Sequence, residues 1–353
     1  MANNRQVPAL RDMAFETLAK HSLFSVEIPA ESTPDYHEKV MGVFVQMLNE
    51  KRMPKFLHAI ADDDRKTVKE MLDVNPELIV IEPPKRLEIE SKLTWNKFYA
   101  EKAFTMAIKR KQLEMVKLML PYLDQIENSK AEVLAEWVVP PIADDIEASI
   151  PVEYGIYLKS LVNVFAEERF SDCKLSQKTE AALHSLFNML LPKKAVKLDD
   201  YIDVELFFLA ACLAYRNNDK AFQNQHQRNA FCIRVIGLIQ SVLPPETGKV
   251  FCQGLYYVVK ENRKISARAD SLKLSDDMPF YRSSLQPRVG LGFDFMAGNA
   301  GTSLSRWGAS SISSLLPIWK NYLKQVQQAL GALRSDCSNS LTCSLQNASS
   351  RLV

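Results

Sequence analysis

Phe56-Leu57-His58-Ala59-Ile60-Ala61-Asp62-Asp63-Asp64-Arg65-Lys66-Thr67-Val68-Lys69-Glu70-Met71-Leu72 is followed, 48 positions later, by Phe104-Thr105-Met106-Ala107-Ile108-Lys109-Arg110-Lys111-Gln112-Leu113-Glu114-Met115-Val116-Lys117-Leu118-Met119-Leu120. Phe56, Ala59, Ile60, Val68, Met71 and Leu72 recur at that constant offset as Phe104, Ala107, Ile108, Val116, Met119 and Leu120. All are apolar and most lie at helical spacing, with a polar turn between the halves. The pattern predicts one helical hairpin written twice, the small Ala letting its two helices approach.

In its apolar-x-x-Ala-Ile opening, polar turn and Val-x-x-Met-Leu close, the unit resembles the helix pair of an ankyrin repeat. That resemblance implies two stacked repeats that present surface for binding and carry no chemistry of their own. It also implies departures. The turn glycine of the family is Asp63 in one hairpin and Lys111 in the other, and the Thr-Pro-Leu-His opening is missing from both. The interval is longer than the usual ankyrin period of about 33. Residues 77–102, with Leu78-Ile79-Val80-Ile81, Pro83-Pro84 and Trp95, account for the excess and predict a long inter-repeat finger.

Around this pair the expected organisation is all-α. An N-terminal helical cap spans 1–53, with helices over 8–24 and 35–51 separated by Pro29 and Pro34. The repeat pair occupies 54–125 and a connector, marked by Pro140-Pro141 and Asp144-Asp145, occupies 126–150. A helical domain follows over 151–289, its amphipathic runs punctuated by Pro192 and Pro244-Pro245. Residues 290–311 read as a Gly/Ser-rich loop and 312–334 as an amphipathic helix through Trp319, Leu323, Val326, Leu330 and Leu333. The tail, 335–353, is rich in Ser and nearly uncharged, and is expected to be disordered.

Composition narrows the function classes. The 353 residues carry a net charge of +2, without the basic excess of a dedicated nucleic-acid protein. Cys173, Cys212, Cys232, Cys252, Cys337 and Cys343 form no CxxC pair and read as reduced thiols. Arg5, Arg11, Asp12, Glu16 and Lys20 interrupt any secretory signal, and the most apolar window, Leu206–Tyr215, is about half a membrane span. A soluble protein is expected.

The segment 231–295 contains Val235-Ile236-Gly237, Leu243-Pro244, Phe251-Cys252-Gln253-Gly254-Leu255-Tyr256-Tyr257 and Gly290-Leu291-Gly292-Phe293-Asp294-Phe295. With the repeat pair, this resembles ankyrin-bearing effectors of the Legionella type, delivered into host cells by the Dot/Icm type IV secretion system. The resemblance covers roughly residues 54–295. It implies a bacterial origin, a host-cell destination, a host-protein partner and an address at the C-terminus. No glutamate follows Glu261, although many translocated substrates have a glutamate-rich stretch there.

Candidate chemistry is sparse. Cys252 beside Gln253, with His184 or His226 as a distant base, is the arrangement an enzyme in 151–295 would use, yet buried thiol and surface histidine is the simpler reading. Asp199-Asp200-Tyr201-Ile202-Asp203 is either an acidic metal cluster or a helix cap, and the cap is favoured. Gly290-x-Gly292 lacks the third glycine of a dinucleotide loop, so no cofactor or metal is expected. The expected partner surface is a groove between the inner helices and the finger, with Trp95, Lys97, Tyr99, Lys109 and Arg110 exposed. Lys260, Arg263, Lys264 and Arg268 form a basic stretch suited to an anionic membrane surface.

Overall fold

The computed structural model describes residues 52–126, 129–137, 145–169, 175–253, 259, 272–273, 279–280 and 308–350. The expected N-terminal cap thus lies almost wholly outside the described residues, as does the Gly/Ser-rich loop up to residue 307. What is described is all-α, with short strands only.

Each copy of the repeated segment folds as helix, tight turn, helix. Residues 52–61 (α1) are followed by Arg65–Val74 (α2), and Ala103–Lys109 (α3) by Leu113–Leu123 (α4). The offset of 48 extends to the backbone of the turns. Asp63 and Lys111 adopt φ of 52° and 54°, the left-handed region where glycine is most at ease. Asp63 N donates to Ile60 O at 3.0 Å and Lys111 N to Ile108 O at 2.8 Å; Asp64 N donates to Ala59 O and Gln112 N to Ala107 O at 2.8 and 3.0 Å. The absent turn glycine therefore leaves the turn geometry intact.

The hairpins pack directly, α2 against α4. Phe56, Ala59, Ile60, Val68, Leu72, Phe104, Ala107, Val116 and Met119 belong to one core, and Met71, Ile108 and Leu120 pack against it. The second turn also caps the first hairpin. Arg110 donates to Ala61 O at 3.1 Å and the Gln112 amide to Ile60 O at 2.8 Å, satisfying carbonyls that a helix end leaves open.

The finger is a short antiparallel ribbon, Glu88–Glu90 (β1) paired with Lys97–Tyr99 (β2) in the register Ile89 opposite Phe98. Ile89 and Phe98 face the core and are fully buried. Its loop is tied to the first hairpin: Asp62 accepts from Ser91 Oγ and Lys92 N, each at 2.8 Å, and the His58 ring meets Glu90 O at 3.0 Å. The free edge of β2 is occupied too, since Tyr99 N donates to Val196 O at 2.8 Å. The finger is thus a wedge docked on both sides, so part of the expected groove is filled by the chain itself.

Further helices are Ser129–Glu136 (α5), Val152–Ala166 (α6), Gln177–Leu190 (α7), Val204–Asn217 (α8), Gln225–Phe231 (α9), Gly237–Ser241 (α10) and Pro245–Gln253 (α11). A π-helical turn, Cys232–Ile236, joins α9 to α10. Leu272–Lys273 and Pro279–Phe280 form a second small ribbon. The described residues from Arg52 onward belong to one compact unit.

Helix α12, Gly308–Ser350, corrects the expectation of a disordered tail. Ile312, Leu315, Leu316, Trp319, Tyr322, Leu323, Val326 and Leu330 bury one face, with Trp319 edge-on to Phe208 of α8 at 5.4 Å. Beyond Leu333 the helix continues, and two of its serines turn their hydroxyls back onto it. Ser335 Oγ donates to Gly331 O and Ser338 Oγ to Arg334 O, each at 3.0 Å, the one-turn-back bond that a serine inside a helix can make.

Candidate binding surface

Trp95 lies in the loop between β1 and β2 and is 45% exposed, the largest aromatic surface among the exposed hydrophobic residues described. Its φ of 62° turns the chain back, and its N–H donates to Ser91 O at 2.8 Å. Lys97 is half-buried and pairs with Glu90 across the ribbon at 3.2 Å. Tyr99 is half-buried. Lys109, in the last turn of α3, reaches Glu101 at 2.8 Å and Asp199 at 2.7 Å.

Arg110 departs from expectation. It is buried, its guanidinium 4.9 Å from the Phe98 ring centre and bonded to Ala61 O. Burial lowers its pKa to about 10, still leaving it charged at neutral pH. Arginine read as surface because of its charge; its apolar stem and planar head instead fill the seam between finger and hairpins. Lys260, Arg263, Lys264 and Arg268 lie outside the described residues.

The two repeat turns carry opposite charges, and each meets its complement from the later chain. Asp63 is paired with Lys249 of α11 at 2.6 Å and with Arg65 at 3.5 Å. Burial raises the Asp63 pKa despite the Lys249 ammonium beside it. Lys111 is paired with Asp203 at 2.8 Å and Glu205 at 3.1 Å. Burial would lower the Lys111 pKa, but the Glu205 and Asp203 carboxylates outweigh it and raise the value. Burial pushes Glu205 up, with Lys111 opposing. Thr247 Oγ1 donates to Glu205 at 2.5 Å.

Glu246 completes this set. Gln112 makes no side-chain cap at the start of α4, and Glu246 supplies one from far along the chain, accepting Glu114 N at 3.1 and 3.2 Å. Burial, and next the nearby Asp63, push its carboxyl up to about 8. No local pattern marks Glu246 or Lys249; the only signal is a pair of charges in the helical stretch after Pro244.

The enzyme reading's candidate residues lie partly among the described ones. Cys212 and Cys232 are buried, and burial raises both thiols, Cys232 to about 12, so neither is a nucleophilic thiolate. His184 and His226 are exposed, and the Cys252 side chain lies outside the described residues. Asp203 is a helix cap, accepting Leu206 N at 3.0 Å. Among the described residues no group of three or more His, Cys, Asp and Glu is placed to hold a metal ion. No described helix is long and apolar enough to cross a membrane.

Comparison with protein-family models, curated proteins and solved structures gives no match to this chain.

Proposed function

We propose that the protein is a binding module without chemistry of its own, which engages a partner protein through the finger loop Lys92–Asn96. The observation that carries this reading is Trp95, held 45% exposed on a loop tied down at both ends. A large aromatic ring with few degrees of freedom loses little entropy on binding, which is why Trp is over-represented among residues that dominate interface energetics. A non-glycine residue at φ of 62° also costs about 1 kcal/mol of backbone strain or more. Trp is kept there at the expense of stability. The resemblance to translocated ankyrin-bearing effectors gives the partner's setting, a host cell reached by type IV secretion.

Trp95→Gly tests the reading, because glycine suits that backbone conformation and removes only the ring. The variant is expected to keep its helical circular dichroism and to lose capture of the host protein that the wild-type chain recovers. Undiminished capture of the same protein would place binding elsewhere. A translocation reporter fused to the full chain tests delivery separately, and failure to enter host cells through a competent secretion system would remove the effector part of the proposal.

A further inference from the structure

A cavity of about 460 Å³ opens beside the second repeat turn, among the described residues. Ile108, Leu198, Val242 and Leu330 give it apolar walls. Its charged lining is balanced and committed. Lys109 pairs with Asp199 at 2.7 Å, and Lys111 pairs with Asp203 at 2.8 Å and with Glu205 Oε2 at 3.1 Å. A bound cation would face Lys109, Arg110 and Lys111, and a bound anion would face Asp199, Asp203 and Glu205. The lining therefore favours a neutral occupant.

Three lining residues still hold a buried polar atom without a hydrogen-bond partner: Asn96 Oδ1 of the finger loop, Gln327 Oε1 of α12 and Arg110 Nε of the repeat turn. These residues are 2%, 8% and 7% exposed. The Asn96 amide nitrogen donates to Val242 O at 3.4 Å, which turns its oxygen away from that carbonyl. The far end of the Arg110 guanidinium is taken by Ala61 O, so Nε is the donor left over. Buried polar atoms are nearly always satisfied, by protein or by something bound. Two acceptors and one donor call for a group with two donors and one acceptor. A primary carboxamide carries two N–H donors and a carbonyl, and no charge. One water could meet the same three atoms, but its share of volume, about 30 Å³, leaves the apolar walls uncovered.

We infer that this cavity binds a small neutral molecule with a primary carboxamide on an apolar body. Its N–H groups donate to Asn96 Oδ1 and Gln327 Oε1, its carbonyl accepts from Arg110 Nε, and its carbon chain lies against Ile108, Val242 and Leu330. Trp95 does not line the cavity, so the site is separate from the ring on which the proposed partner binding rests.

The test is titration of the full chain with butyramide, followed by ligand-observed NMR, with 2-pentanone as control. The ketone keeps the shape and the carbonyl and replaces the amide nitrogen by a methyl group. Saturable binding of the amide, at least about tenfold tighter than that of the ketone, is expected, because the ketone leaves both acceptors unpaired. Butylammonium and butyrate should each bind more weakly than the amide. Gln327→Met is close in size and removes an acceptor, and should weaken the amide about tenfold without changing the ketone. Asn96→Leu does the same from the finger side, and circular dichroism on each variant reports whether it folds. Equal binding of amide and ketone, absence of saturable binding, tighter binding of either ion, or an amide affinity indifferent to the folded variants would each overturn the proposal. So would a crystal structure, grown in butyramide, in which only water occupies the cavity.

Discussion

Lys111 holds two opposing contributions in one residue. Its left-handed φ of 54° favours glycine, while its ammonium is the partner of Asp203 and of fully buried Glu205. Relief of strain in Lys111→Gly is worth about 1 kcal/mol. Leaving a buried carboxylate unpaired costs roughly 3–5 kcal/mol. The electrostatic loss wins, and Lys111→Gly should lower stability by about 2–4 kcal/mol in denaturant titration. Adding Glu205→Gln should recover a large part of that; no recovery would mean that the pair is not what Lys111 contributes. Glu246 governs pH. Its ordinary value of 4.5 is pushed to about 8 in the folded protein. Between those values the unfolded chain has released the proton and the folded protein keeps it, so stability falls as pH rises through that window. The raised Asp63 and Glu205 carboxyls act with the same sign. One such proton gives a slope of up to about 1.4 kcal/mol per pH unit. Melting temperature should therefore drop from pH 5 to pH 8, and Glu246→Gln should flatten the drop. The turn positions 63 and 111 were legible from the repeat offset. Their partners were not, because Lys249 and Glu246 meet them only through tertiary packing.

At the scale of elements, amphipathic spacing carried most of the information. The apolar hexads marked the buried faces of both hairpins, and the excess length between them marked a finger. Ala59 and Ala107 are buried in their hairpins, 7% and 0% exposed. Ala107→Leu adds volume where none is free and should destabilise by roughly 1–3 kcal/mol, read as a shift in the denaturant midpoint without a change in slope. A neutral result would show that the second hairpin is loosely packed. Two elements escaped the pattern. The docking of β2 against Val196 joins residues almost a hundred positions apart, and a three-residue strand has no periodicity to read. The end of α12 escaped because serine weighs toward loops, and here Ser335 and Ser338 sit within the helix with their hydroxyls bonded one turn back.

For the molecule as a whole, the boundary expected near residue 150 is crossed by ion pairs, a helix cap and a strand hydrogen bond. Asp63 meets Lys249, Lys111 meets Asp203 and Glu205, Glu246 caps α4, and β2 bonds to Val196. Helix α12 packs on α4, α5 and α8 together, so it covers both halves of the chain. Surface expected to be free on a two-repeat stack is therefore interior here. A pair of repeats is also short of what solenoids need, since each repeat contacts only its neighbours and about three or more are required for stability. The later helices supply the missing neighbours. A fragment covering 52–150 should then lack a cooperative thermal transition and bind a hydrophobic dye, while the full chain melts in one sharp step. Cooperative melting of the fragment would mean that the repeat pair is autonomous and that the charged contacts at Asp63 and Lys111 join two finished domains. Without such a transition, lost capture of a partner by the fragment says nothing about where the partner binds, so the binding surface has to be mapped by single substitutions in the full chain.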